Sequence, residues 1–427
     1  MYPSLSLYID GRFLSGEGRQ GQEVRDPANG QLLGHLPWAS DTDLIQAMLA
    51  AHRAFESWRI SSPMERSAVL RKVGELARER ADVIARHITL DNGKPLAEAH
   101  SEVLNSAEHA EWNAEECRRI YGRVVPSRNP AVRQLVVREP VGVCAAFSPW
   151  NFPLSQAIKK VAAAIGAGCT VILKGPEESP SAIVALAQLF HDAGLPPGVF
   201  NVVWGVPSDI SRQLIESPLI RKLSFTGSVP VGKQLAALAG AHMKRISMEL
   251  GGHSPVLVFD DADVDTAAGM LARFKVRNAG QVCVSPSRFY VQERVYERFV
   301  AAFKLAIEST QLGHGLKPGT QMGPLVHGRR LAAVDELVQQ AVSVGGELVC
   351  GGQRLGESGH FYPPTVIAGL PDSARVMNEE PFGPVAAITR FKDTEEVLRR
   401  ANSVPYGLAS YVFTQSVTTA TRVSNGL

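Results

Sequence analysis

Cys283 closes the segment Asn278-Ala279-Gly280-Gln281-Val282-Cys283, and Glu249 stands just before Leu250-Gly251-Gly252. Together they offer a thiol nucleophile and a separate carboxylate base, the outline of covalent catalysis. A cysteine thiol with a pKa of about 8.5 is only partly ionised at neutral pH, so an attacking cysteine needs a local field or a base. Glycines beside both residues let the backbone come close to a substrate. Taken alone, the pair has an ordinary alternative: an inert core cysteine and one of 42 acidic residues.

The company these residues keep narrows the choice. Phe147-Ser148-Pro149-Trp150-Asn151-Phe152-Pro153, Leu173-Lys174-Gly175-Pro176-Glu177, Phe225-Thr226-Gly227-Ser228 and Glu379-Glu380-Pro381-Phe382-Gly383-Pro384 occur with them in a fixed order. On these motifs the chain, from about Leu7 onward, resembles the NAD(P)-dependent aldehyde dehydrogenase superfamily and is most similar to its succinate-semialdehyde dehydrogenase-like members. The resemblance implies an α/β fold. Residues 1–122 and 141–250 would form a Rossmann-like, parallel-sheet NAD-binding domain, 123–140 a β-strand oligomerisation arm, and 251–427 an α/β catalytic domain.

By the same resemblance Cys283 adds to an aldehyde to give a thiohemiacetal, hydride leaves for NAD, and Glu249 activates water against the remaining thioester. Asn151 and the Cys283 amide would hold the oxyanion. Asn151 also has a simpler use, as cap of a helix beginning near Pro153. Glu249 is expected to be a mobile, partly buried base. Relatives that pass the acyl group to coenzyme A generally lack this carboxylate.

The implied cofactor contacts are Ser148, Pro149, Trp150, Gly205, Phe225, Gly227, Ser228, Gly232 and Leu250, with Lys174 and Glu177 at the adenosine ribose. Glu380 would meet the nicotinamide ribose, and Phe382 the nicotinamide. A carboxylate at Glu177 accepts from ribose hydroxyls and repels a 2′-phosphate, so NAD is favoured, with NADP possible. Apart from the resemblance, Lys174 and Glu177 read as a solvated pair and Glu379-Glu380 as an exposed acidic turn. Arg277 and Lys159 match positions that clamp a substrate carboxylate, and Phe152 lines the same pocket. Lysine lacks the bidentate fork of arginine there. A semialdehyde leads, ahead of aliphatic or aromatic aldehydes and of a catalytically silent member of the fold.

The elements that must position these residues follow from pattern. At 427 residues the chain exceeds one ordinary core. From Val141 to Glu249 strands and helices alternate, which implies a parallel sheet covered on both faces. Leu5 to Phe13 reads as a hairpin around Asp10-Gly11, Asp41 as a helix cap, and Gly16, Gly18 and Gly21 as a surface turn, because no apolar helix follows them. Lysine and arginine total 44 against 42 acids, so no nucleic-acid footprint appears. Five scattered cysteines without a Cys-x-x-Cys pair give no metal site and suit a reducing, cytoplasmic setting. No membrane partner is expected. The sequence ends within a helical pattern where relatives continue, so a C-terminally incomplete chain is expected, homodimeric or homotetrameric when full length.

Overall fold

Val143–Phe147, Thr170–Lys174 and Phe200–Val203 are buried at every position, as strands of a parallel sheet covered on both faces must be. In the computed structural model, which describes residues 2–427, these strands lie in the first of two compact units. That unit takes the residues up to Arg25, then Leu32–Asp91 and Ala99–Glu249. The second takes Asp26–Gln31, Asn92–Glu98 and Leu250–Leu427. The sequence places both short segments in the first domain, and this is corrected by their partners: Asp26 Oδ2 lies 2.9 Å from His314 Nε2, and Glu98 Oε2 accepts the Asn278 amide at 2.9 Å.

The first unit contains β1 (Leu7–Ile9), β2 (Arg12–Leu14), β3 (Gly21–Arg25), β4 (Leu32–Pro37), β5 (Arg123–Val125), β6 (Gln134–Val136), β7 (Val143–Phe147), β8 (Thr170–Lys174), β9 (Phe200–Val203), β10 (Ile220–Gly227) and β11 (Arg245–Leu250). Its main sheet runs β11-β10-β7-β8-β9-β1-β2. Strands β10, β7, β8 and β9 are parallel neighbours, and the hairpin β1–β2 adds antiparallel through Tyr8 opposite Val202. Asp10 and Gly11 make its turn with φ of 51° and 76°. β5 and β6 pair only with each other. Helix Asp41–Trp58 is capped by Ser40 rather than Asp41, because Ser40 and Asp43 close a capping box.

The second unit holds β12 (Pro255–Val258), β13 (Arg288–Gln292), β14 (Glu347–Cys350), β15 (Thr365–Ala368), β16 (Val385–Phe391) and β17 (Tyr411–Phe413), in the order β14-β15-β16-β13-β12-β17. All neighbours are parallel except β14 with β15. Its core centres on Phe289, Phe299, Phe303, Ile388 and Phe391.

Candidate active site

In the first unit the candidate residues lie at or just beyond a strand's end, except Lys159 and Gly232, which lie within the helices Pro153–Gly166 and Val229–Ala241. Ser148, Pro149, Trp150, Asn151 and Phe152 lead from β7 into helix Pro153–Gly166; Lys174 ends β8 and Glu177 follows it; Gly205 follows β9; Gly227 ends β10; Glu249 is next to last in β11. The chain order reverses at β7, with β8 and β9 on one side and β10 and β11 on the other. Open parallel sheets bind ligands at the carboxyl ends of such a switch point. Phe147 and Phe225 are register partners there, so the loops after β7 and β10 leave side by side.

Those loops fit a dinucleotide. Ser228 starts helix Val229–Ala241, which contains Gly232, in extended geometry with no side-chain cap, so its first N–H groups suit a phosphate. A Cβ on Gly227 would lie 2.4 Å from the Phe225 ring, which explains the glycine. The buried Ser148 Oγ has no hydrogen-bond partner among the described residues. Lys174 Nζ is 2.5 and 2.6 Å from the two Glu177 oxygens, and neither residue is the solvated surface pair of an isolated motif. Burial outweighs the lysine and pushes the Glu177 carboxyl above its usual range.

Asn151 is buried and does not cap the following helix, whose cap position is Phe152. The buried Glu102 does that work: its Oε1 accepts the amides of Leu154 and Ser155 at 3.0 and 3.1 Å. Sequence pattern gave no sign of it, because Glu102 reads as one polar position in helix Leu96–Glu116. Glu249 is exposed, which corrects the expectation of partial burial: β11 is the edge strand of its sheet. Lys160 likewise carries no signal in the sequence pattern. Burial lowers it to about 8 against the opposing charge of Glu249, and its ammonium donates to Thr226 Oγ1. Lys159, its neighbour, is exposed.

In the second unit the candidates precede strands. Gly251 and Gly252 lead to β12, Cys283 to β13, and Glu380 and Phe382 to β16. Helix Val264–Val276 runs into a turn where Asn278, Ala279 and Gly280 have φ of 45°, 52° and 71°. Non-glycine residues in this region are strained by about 1 kcal/mol or more. The turn is held by Glu98 at the Asn278 amide and by the buried Gln281, whose Oε1 accepts the Val326 amide at 3.0 Å. Cys283 follows, half-buried. A Cβ on Gly280 would meet Gly383 O at 2.1 Å, which binds this turn to the loop holding Phe382, itself at φ 40°.

The paired glycines have separate reasons. A Cβ on Gly251 would lie 2.3 Å from Glu380 Oε2, and one on Gly252 would lie 2.9 Å from the Cys283 carbonyl oxygen. The Gly252 amide also donates to Glu380 Oε1 at 3.2 Å. Glu379 stays on the surface with Arg375, whereas Glu380 turns inward and burial lifts it to about 7. Lys275, on the helix leading to Cys283, is fully buried; it donates to Val385 O at 2.9 Å and is lowered by burial to about 7. Arg277 is exposed. The Tyr411 hydroxyl donates to Val284 O at 2.6 Å and lies within electrostatic reach of Cys283 and Arg277. Tyr411 was not legible in the sequence, since it arrives from β17, far along the chain.

The first unit thus gathers Asn151, Lys174, Glu177, Gly227 and Glu249, and the second gathers Cys283, Arg277, Gly251, Gly252, Glu380 and Phe382. Leu250, at the junction, is half-buried. Residues 13–427 match the model of the aldehyde dehydrogenase family. The chain is 44% identical over 427 residues to the putative 4-(hydroxymethyl)benzenesulfonate dehydrogenase TsaD2 of Comamonas testosteroni, covering 100% of this chain and 89% of that protein. It is 41% identical over 419 residues to the succinate-semialdehyde dehydrogenase [NADP(+)] GabD of Escherichia coli K12, covering 98% and 87%. The crystal structure of a succinate-semialdehyde dehydrogenase from Burkholderia pseudomallei superposes with a TM-score of 0.97 at 38% identity, over 99% of this chain and 88% of that one. This chain belongs to the aldehyde dehydrogenase family, oxidoreductases that act on aldehydes with NAD(P).

Proposed function

We propose that this enzyme oxidises an aldehyde carrying a remote carboxylate, a semialdehyde, to the corresponding acid through a thioester on Cys283, with NAD preferred. The Cys283 thiolate adds to the aldehyde carbon, and the resulting oxyanion is held by the Asn151 amide and the Cys283 N–H. One such donor is worth about 3 to 4 kcal/mol. Bound NAD supplies the acceptor for the hydride that leaves this carbon. Glu249 then takes a proton from water as the water adds to the thioester, and the thiolate departs from the acid. Glu380 and Glu177 orient the two riboses.

The reading of the substrate is carried by Arg277, exposed six residues before Cys283 on the turn that leads to it, and is supported by the semialdehyde dehydrogenases among the relatives at 38 to 41% identity. A charge-assisted hydrogen bond contributes roughly 1.5 to 3 kcal/mol, about ten- to a hundredfold. Arg277→Met is therefore expected to lower kcat/KM by about that factor for a carboxylated semialdehyde and much less for an uncharged aldehyde of equal length. Equal losses would place Arg277 in the scaffold and remove the semialdehyde assignment. A second reading is an aromatic aldehyde bearing a sulfonate, the oxidation product of the hydroxymethyl compound in the name of the 44% identical relative. Comparing succinate semialdehyde with a formylated benzenesulfonate decides between them.

A further inference from the structure

Arg66 stands against every local preference. It lies in the first turn of helix Pro63–Glu79, where the helix dipole disfavours a cation, and is only 7% exposed. Its Nε has no hydrogen-bond partner among the described residues, and the exposed Glu65 beside it interacts with it electrostatically while the Glu65 carboxylate accepts the Ser62 amide. Its Nη1 fits over Gly168, whose absent Cβ would lie 2.5 Å away. A guanidinium so little exposed, bordering an open cavity, is placed to take an anionic partner.

The cavity it borders, about 870 Å³, is lined by Arg59, Arg66, Arg118, Arg119, Arg138 and Arg245. Only two acids join them, Glu116 and Glu139, and Glu116 is already paired with Arg119 at 2.8 Å. The cavity sits at the amino ends of β7 and β8, beside Val141 and Ala167, whereas the candidate cofactor residues follow the carboxyl ends of those strands. The helices ending at Trp58, Glu116 and Gly166 contribute about half a negative charge each, which offsets only part of the excess.

We propose that this cavity binds a small, multiply charged oxyanion, a phosphate or a polycarboxylate, with Arg66 as its buried anchor. Guanidinium forks match the paired oxygens of both classes. The exposed arginines form the rim, and Arg66 supplies the desolvated contact that sets affinity.

The test titrates the full chain with inorganic phosphate and with citrate, against sodium chloride at matched ionic strength, by calorimetry and thermal melting. Saturable binding at one site is expected, with a melting temperature raised beyond that in chloride. Tighter binding of either probe supports the proposal and names the class. Arg66→Gln should weaken binding at least tenfold, and Arg138→Gln or Arg245→Gln should weaken it less. KM for NAD should stay unchanged in all three, which separates this cavity from the candidate cofactor residues at the carboxyl ends of the strands. In the absence of oxyanion Arg66→Met should melt no lower than the parent, a second readout in case the glutamine variant folds poorly. Stabilisation no greater than that in chloride, or undiminished binding by Arg66→Gln, would show that the arginines only complement helix ends and would overturn the proposal.

Discussion

At the scale of residues, the proposed chemistry divides into steps that substitution can separate. Cys283→Ala is expected to abolish NADH formation while NAD binding, followed by tryptophan fluorescence, persists; turnover near the parent rate would eliminate the thioester route. Glu249→Gln should leave hydride transfer and slow deacylation, giving a burst of NADH and then a slow steady state in stopped flow. Glu177→Ser should narrow the preference for NAD over NADP, and the assignment fails if the parent already uses both with equal efficiency. The two glycines predict different defects, because adding a methyl at 251 meets Glu380 and at 252 meets the Cys283 backbone. Gly251→Ala is expected to act chiefly on the KM for NAD, and Gly252→Ala on kcat.

At the scale of elements, the sequence announced the strands and motifs, because period-2 and period-3.6 patterning and glycine placement are local. It announced little of what holds them. Glu102 is an unremarked helix position, yet it satisfies the start of the helix after Asn151. Glu102→Ala should cost about 1 to 2 kcal/mol in denaturant unfolding. Lys275 and Tyr411 were illegible for the same reason: their partners are distant in sequence, Val385 in β16 and Val284 in the loop before β13. Glu249 went wrong through position, since a strand reads alike at a sheet's centre and edge. Lys275 also sets a pH dependence. Its pKa is about 7 folded against 10.5 ordinarily, so the unfolded chain binds more protons between these values and stability rises with pH across that window. Glu380, raised to about 7 from 4.5, does the reverse, lowering stability as pH climbs from 4.5 to 7. Lys275→Met should flatten the rise between pH 7 and 10, and an unchanged slope in denaturant midpoints would contradict the assignment.

At the scale of the whole molecule, the two sheets carry their candidate residues at opposite ends of their strands. Candidates in the first unit follow β7 to β11, as open sheets ordinarily arrange. Those in the second precede β12, β13 and β16, where the chain enters the sheet and each loop is pinned by the strand after it. The hairpin β5–β6 belongs to neither sheet and exposes Val124, Leu135 and Val137 at 70%, 69% and 70%. Exposed apolar strand edges of this kind pair with other chains. We infer that this hairpin is the oligomerisation arm. Val124→Asp with Leu135→Asp should lower the sedimenting mass toward that of one chain while helical circular dichroism is retained.

Gly252 donates its amide to Glu380 and packs against the carbonyl oxygen of Cys283, so a single peptide unit joins the proposed ribose carboxylate to the backbone of the proposed nucleophile. Thermodynamic reciprocity then applies to equilibrium binding at the two groups: a reversible adduct on the thiol that changes dinucleotide affinity by some factor has its own affinity changed by the dinucleotide by the same factor. The Kd of a reversible thiol adduct at Cys283 with and without NAD, and the Kd of NAD with and without that adduct, measure the two sides of one coupling constant.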